Sequence, residues 1–265
     1  MKRVVILEAN SKEMVDSRHA AGGRLPTGLF TDVIRQYAPN IEVIPTEPYR
    51  GDFDAGILSE VDGAIFTGCG VAWSVDEPDG RLLAEACEEV FKAGLSTYGS
   101  CNGLQMAAHL LGGAVRYSPN GLEVGLAKNL SLTNAGRTHP MMAGRSDGFA
   151  VPCIHRDEVS KLPDGAELLV TNAHSQVQGF AYEGQGVSFW GVQYHPEYPA
   201  DYIGEILGFI YAAGGGTDLE LMRDMNAMEK DDAVASNHGT SSKAQRAETR
   251  TLEVQNWLHR IGAAA

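Results

Sequence analysis

The residues best placed to do chemistry lie in Tyr98-Gly99-Ser100-Cys101-Asn102-Gly103-Leu104-Gln105, where small residues surround one cysteine. Leu95 to Tyr98 is a short apolar run suited to a buried strand. Leu104, Ala107, Ala108 and Leu111 then recur at helical spacing until Gly112-Gly113 ends them. Cys101 therefore falls on a tight strand-to-helix turn, an elbow that presents a nucleophile. Gly99 and Gly103, two residues to either side, remove Cβ atoms that would collide there. The helix beginning after Cys101 points its free N–H groups and positive dipole end at the sulfur, which favours the nucleophilic thiolate. Taken alone, the same spacing also suits a buried structural cysteine beside a glycine turn.

A cysteine nucleophile needs a base, and the base needs an orienting carboxylate. The second half of the chain offers both. Val187 to Tyr194 alternates like a strand and runs into Gln193-Tyr194-His195-Pro196-Glu197. His195 can take the thiol proton through one ring nitrogen while Glu197 holds the other, and Pro196 stiffens the link between them. His-Pro-Glu alone is a weak signal; joined to the elbow it becomes a strong one.

These two motifs together resemble the class I glutamine amidotransferases, whose hallmarks are a G-x-C-x-G-x-Q elbow, here Gly99 to Gln105, and a downstream His-Pro-Glu. Two further stretches agree. Gly63-Ala64-Ile65-Phe66-Thr67-Gly68-Cys69-Gly70 is similar to the strand and loop that bring a backbone N–H to the oxyanion site. His155-Arg156-Asp157-Glu158-Val159 is similar to the segment bordering the glutamine's α-amino and carboxylate groups. The resemblance covers roughly residues 1–211, and within the family it is strongest to stand-alone proteins resembling the amidotransferase domain of GMP synthase. It implies a Cys101–His195–Glu197 catalytic set, oxyanion donors at Asn102 and the Cys69-Gly70 loop, and substrate contacts from Gln105, His155, Arg156 and Asp157. Spacing alone would make Gln105 an ordinary polar helix residue and Arg156 a solvated surface arginine. Cys69 stands in a loop that is often Gly-Gly-Pro in the family, and Asn102 where a bulky apolar residue is common.

The implied reaction is hydrolysis of a γ-glutamyl C–N amide bond through a thioester, releasing glutamate and ammonia or an amine, with no metal or organic cofactor. The alternative is a glutaminase subunit that delivers ammonia to a separate synthetase; a non-catalytic protein on the same fold fits less well with the intact Cys-His-Glu set. No G-x-x-x-x-G-K phosphate loop occurs in the sequence, so an ATP-driven transfer would need another chain. Trp73, close behind the oxyanion loop, either walls the leaving-group pocket, which would suit a substituted or aromatic amine, or simply anchors its loop.

The elements that must position these groups alternate. Val4–Leu7, Ile41–Pro45 and Ala64–Thr67 read as strands. Leu29, Phe30, Val33, Ile34 and Tyr37 form one helix face, and Leu82, Leu83, Ala86, Cys87, Val90 and Phe91 another. A meander of shorter strands over roughly 114–190 precedes a helix carrying Ile203, Ile206, Leu207 and Ile210. This order predicts an α/β fold: a mostly parallel open sheet with helices on both faces, flavodoxin-like, with the site at the C-terminal ends of its strands.

Residues 212–265 form a C-terminal extension beyond a 1–211 catalytic domain. Ala212-Ala213-Gly214-Gly215-Gly216 breaks the last domain helix, and Asp231 to Lys243 is polar. Leu252, Val254, Trp257, Leu258 and Ile261 then form a stripe that must bury, on its own domain or on a second subunit.

Composition sets outer bounds. The chain has 265 residues, 43% of them hydrophobic, enough for a substantial core. A formal net charge of −13 argues against nucleic acid or an anionic membrane as partner. No apolar run approaches the roughly 18 residues of a membrane span, and Val4–Leu7 is too short for a signal-peptide core. The four cysteines show no paired metal spacing. These features suit a cytoplasmic enzyme acting on a small molecule, with a second copy or a separate synthetase as the partners left open.

Overall fold

The computed structural model describes residues 1–51, 53–70, 75–216 and 218–263. In chain order the elements are β1 (Arg3–Leu7), α1 (Lys12–Ala20), α2 (Pro26–Tyr37), β2 (Glu42–Thr46), β3 (Gly63–Phe66), α3 (Arg81–Lys92), β4 (Ser96–Ser100) and α4 (Asn102–Leu110). There follow β5 (Ala114–Tyr117), β6 (Glu123–Leu132), β7 (Phe149–His155), β8 (Asp157–Lys161), β9 (Glu167–Thr171), β10 (Gly179–Gly184), β11 (Val187–Val192) and α5 (Ala200–Ala212). The C-terminal region adds α6 (Leu219–Ala227), α7 (Asp232–Asn237), α8 (Ser242–Gln245), α9 (Ala247–Arg250) and α10 (Leu252–Arg260).

Nine strands form one sheet in the order β2-β1-β3-β4-β11-β10-β9-β6-β7. From β2 to β11 neighbouring strands run parallel, and this half carries the elbow at the end of β4. Beyond β11 the meander continues the sheet antiparallel, while β5 and β8 pair separately. The reversal follows from short links: Gln185-Gly186, both at positive φ, turn β10 into β11 without a crossover helix.

β1 and β3 are buried on both faces, which explains why they read as continuous apolar runs. Val4 and Ile6 join one core with Phe30 and Ile34 of α2; Val5 and Leu7 join the other with Leu83, Cys87 and Val90 of α3 and Leu104 of α4. On α3 the stripe is narrower than its spacing suggested. Leu82 is exposed, because it lies about 100° around the helix from Leu83, off the buried face.

The C-terminal stripe is buried within the same chain. Val254, Trp257 and Leu258 are fully enclosed in the α2-side core, and the Trp257 ring lies 6.2 Å from that of Tyr98 on β4. A Cβ on Gly63 would stand 2.9 Å from Trp257 Cζ2, so the glycine leaves room for the indole. Losing such a buried aromatic typically costs about 3–5 kcal/mol. The polar stretch before it is ordered by side-chain caps: Asp231 accepts from Ala233 and Val234 N–H groups, and Ser241 from Ala244. A third core beneath α5 and α6 includes Ile203, Leu207 and Met225. No helix among the described residues is long and apolar enough to cross a membrane.

Candidate active site

β4 ends directly in Cys101, whose backbone takes φ 51° and ψ −108°, a conformation that non-glycine residues rarely hold. The turn is fixed on both sides: Cys101 N donates to Val192 O at 2.9 Å, and its carbonyl accepts from Gln105 N at 3.0 Å. The flanking glycines are sterically required. A Cβ on Gly99 would come within 2.8 Å of the Gly103 carbonyl carbon, and one on Gly103 within 2.3 Å of Phe66 O.

The thiol is buried, with Sγ 3.8 Å from Ile154 O. Burial pushes it well above the ordinary thiol range, the neighbouring Cys69 and Glu197 add to this, and the Asn102 N–H acts in the opposite direction. Desolvation thus acts against the helix end, which by itself favours the thiolate.

His195 is equally buried. Its Nδ1 lies 2.7 Å from Glu197 Oε1, and since a carboxylate only accepts, that nitrogen is assigned as the N–H donor, the tautomer that turns Nε2 into a proton acceptor. Gly68 brings the two halves together. The point where its Cβ would stand is 2.5 Å from His195 Cε1 and 3.4 Å from Cys101 Cβ. Ser100, the residue before the cysteine, donates to the same Glu197 oxygen at 2.8 Å, so the elbow and the His-Pro-Glu segment share one carboxylate. The other oxygen, Oε2, is buried without a hydrogen-bond partner among the described residues.

The C-terminal helices grip both neighbours of His195. Arg250 donates through Nη1 to Pro196 O and through Nε to Gln245 O at 3.0 Å. Tyr194 donates to Glu253 Oε1 at 2.7 Å, and Glu253 is ion-paired with Arg145, both almost fully enclosed. Arg145 also donates to Arg250 O at 2.7 Å. Burial disfavours the Arg145 charge, yet Glu253 beside it more than offsets this and keeps the guanidinium protonated.

The oxyanion loop is held from β1. Glu8, fully buried at its end, accepts from Asn10 Nδ2 at 2.6 Å and from Thr27 N at 3.2 Å; burial raises its carboxyl above the ordinary range, and these donors only partly counter it. Asn10 Oδ1 in turn accepts from Gly70 N at 2.7 Å. The Gly70 N–H, expected to face an oxyanion, is therefore engaged by Asn10 instead.

One cavity of about 310 Å³ brings together Cys69, Gly70, Cys101, Asn102, Gln105 and His195 with the His155-Arg156-Asp157 segment. Gln105 Nε2 donates to Asp157 O at 2.8 Å and to Gln193 Oε1 at 3.2 Å. Arg156 spans its neighbour Asp157 through two bonds of 3.0 and 3.1 Å, and its guanidinium lies over the Tyr117 ring. His155 borders the cavity, but both of its ring nitrogens are occupied, by Asp157 O at 3.0 Å and Glu123 Oε2 at 2.7 Å; it supports the segment rather than presenting a polar atom. Glu123, His155 and His174 have potential ligand atoms within 4.8 Å of one another. The carboxylate there already accepts from His155, Asn172 and Gln178. Asn102 Oδ1 is buried without a partner among the described residues. Trp73 falls in 71–74, outside the described residues.

Several residues of the site had escaped the sequence reading. Asn10 and Glu8 carried a usable signal, polar residues at the C-terminal end of a parallel strand. Ser100 was hidden in the elbow's small-residue run. Arg145, Arg250 and Glu253 gave none, since only folding brings them near His195.

A strand–elbow–helix cysteine, a His-Glu pair and a mixed sheet of this order define the glutamine amidotransferase type. The family model for Glutamine amidotransferase class-I matches residues 35–204, and the chain belongs to that family. Among curated proteins it is similar to a gamma-glutamyl-L-1-hydroxyisopropylamide hydrolase of a Pseudomonas species, 30% identical over 74% of this chain and 67% of that one. It is also similar to the GMP synthase of Wolinella succinogenes, 32% identical over 64% of this chain but only 31% of the synthase. In fold it matches a glutamine amidotransferase from Thermotoga maritima, with a TM-score of 0.66, 20% identity and coverage of 98% of this chain and 97% of that one. A glutamine amidotransferase from Methylobacillus flagellatus gives a TM-score of 0.70 at 18% identity, covering 100% and 96% of the two chains.

Proposed function

We propose that this chain is a cysteine-dependent amidohydrolase that cleaves the γ-glutamyl C–N bond of glutamine or of a γ-glutamyl amine. The observation carrying this reading is that Cys101 and a His195 oriented by Glu197 border one cavity, beside the Gly68 backbone. Substrate arrival brings His195 Nε2 the thiol proton as Cys101 Sγ bonds to the γ-carbonyl carbon. The charge that develops on the carbonyl oxygen is met by backbone N–H groups of Asn102 and Cys69; one such donor is typically worth about 3 kcal/mol. His195 returns the proton to the departing nitrogen, the C–N bond breaks, and a γ-glutamyl thioester remains. Water, deprotonated by His195, then releases glutamate and restores the thiol. Gln105 and the Arg156-Asp157 pair border the glutamyl side. In this reading 1–211 is the catalytic domain, 212–265 completes it, and the protein works in the reducing cytoplasm, where the thiol is preserved.

A second reading is favoured by the match to the glutaminase part of GMP synthase alone: an ammonia-supplying subunit of a separate synthetase. The two readings are separated by assaying glutamate release from the purified chain. Autonomous hydrolysis of a γ-glutamyl amide, absent in Cys101→Ala, is expected. A chain silent on every amide until a synthetase is added would overturn autonomy.

A further inference from the structure

The cavity does not end at the thiol. Two routes lead away from Cys101. One passes through Gln105 to Asp157 and Arg156, a polar wall. The other passes through the His195 ring, which stacks flat on Tyr198 at 3.9 Å; Tyr198 meets Tyr202 edge-on at 4.5 Å. This second side is closed by α1 and α5. Met14 and Arg18 stand one turn apart on α1, while Tyr202, Ile206, Phe209 and Ile210 share a face of α5, and all line the cavity. Ile203 and Leu207 of the same helix are buried in the core, so the half-buried Ile206, Phe209 and Ile210 form a second apolar face turned to the cavity.

Arg18 is the one charged side chain among the described residues lining this side, and Glu205 already pairs with it. The Arg18 guanidinium is buried, stacks over the Phe209 ring at 4.9 Å and reaches Glu205 at 3.6 Å. Glu205 is shared with Arg24 at 2.9 Å and does not line the cavity. The only carboxylate among the described lining residues is Asp157, on the opposite wall and already bridged by Arg156.

We propose that this chamber receives the leaving amine, and that the amine carries an uncharged, apolar branched or aromatic substituent. The inference rests on the hydrolase reading above. A leaving ammonia would leave the apolar face unused. A diamine or polyamine would bring a second cation beside buried Arg18 without a carboxylate to meet it, and the carboxylate of an amino acid would find that guanidinium already paired with Glu205; a low-dielectric site penalises both. An apolar substituent instead gains from burial against α5, where each added methylene group is commonly worth tenfold or more in discrimination.

The test is kcat/KM of the full chain for glutamine and for the γ-glutamyl amides of isopropylamine, benzylamine, putrescine and leucine. The expected result is a rate constant at least tenfold higher for isopropylamide or benzylamide than for glutamine, the putrescine amide or γ-glutamyl-leucine. In Ile206→Asn the ratio of benzylamide to glutamine should fall at least tenfold, and in Arg18→Gln the ratio of putrescine amide to benzylamide should rise. Turnover that favours glutamine, the diamine or the amino acid conjugate would overturn the chamber while leaving the hydrolase reading intact. Silence on all five would overturn both. Should either variant fold poorly, inhibition of the wild type by free benzylamine and not by putrescine supports the chamber, and the reverse order contradicts it.

Discussion

The elbow and the His-Pro-Glu segment hold the two halves of one reaction, yet they are built in opposite ways. The elbow is local. Cys101 is set by the strand before it, the helix after it and two glycines, with Phe66 the decisive neighbour. The His195 segment is supported from a distance: Pro196 O is held by a residue 54 positions on, Tyr194 by one 59 positions on, and the Arg145–Glu253 pair behind them spans 108 positions. A strained nucleophile needs backbone sterics that neighbouring residues can impose. A loop that must hold an imidazole steady needs partners that only a folded extension supplies.

Removing either reacting group should have the largest effect. Cys101→Ala and His195→Ala are each expected to lower kcat by about 10⁴-fold or more with the fold retained, since the two act as a unit. Equal loss in a well-folded Cys69→Ala would contradict the assignment. Glu197→Gln tests the shared carboxylate: a loss of about 10⁴-fold is expected, below that of Cys101→Ala, because an orienting group is partly dispensable.

The local half breaks sterically. Gly103→Ala drives a methyl group into Phe66 O, so the elbow must shift, and a displacement near 1 Å costs about 10² in kcat. The distant half breaks electrostatically. Glu253→Gln leaves Arg145 buried without its counter-charge, a loss of about 3–5 kcal/mol in stability by denaturant titration. The folded fraction should also show roughly tenfold lower kcat with KM little changed. A purely structural role for Glu253 would lower the melting temperature and leave kcat per folded molecule intact.

The smallest effect concerns the resting thiol. Because burial raises it, alkylation of Cys101 by iodoacetamide should be slow at neutral pH and climb through and beyond the ordinary thiol range. A rate already flat near pH 6 would mean a resting thiolate.

The same contrast explains what could be read from the sequence. The elbow, the parallel strands and the α3 and α4 stripes were legible because period, glycine placement and apolar runs are local signals. The C-terminal stripe announced that it must bury, but not against Tyr98. Gly70 was read as an oxyanion donor because the loop's position is a local feature, whereas its engagement by Asn10 depends on β1 and β3 lying side by side. The helix end at Cys101 is likewise a local signal, whereas the burial that acts against it is a property of the whole fold.

The central claim is that a γ-glutamyl group passes through a thioester on Cys101. Its most direct test is acid quenching of the full chain during turnover of a γ-glutamyl amide, followed by peptide mass analysis. The account predicts a γ-glutamyl mass on the peptide containing Cys101, absent from Cys101→Ala. The adduct appearing on Cys69, or wild-type turnover with no adduct on any cysteine, would contradict it.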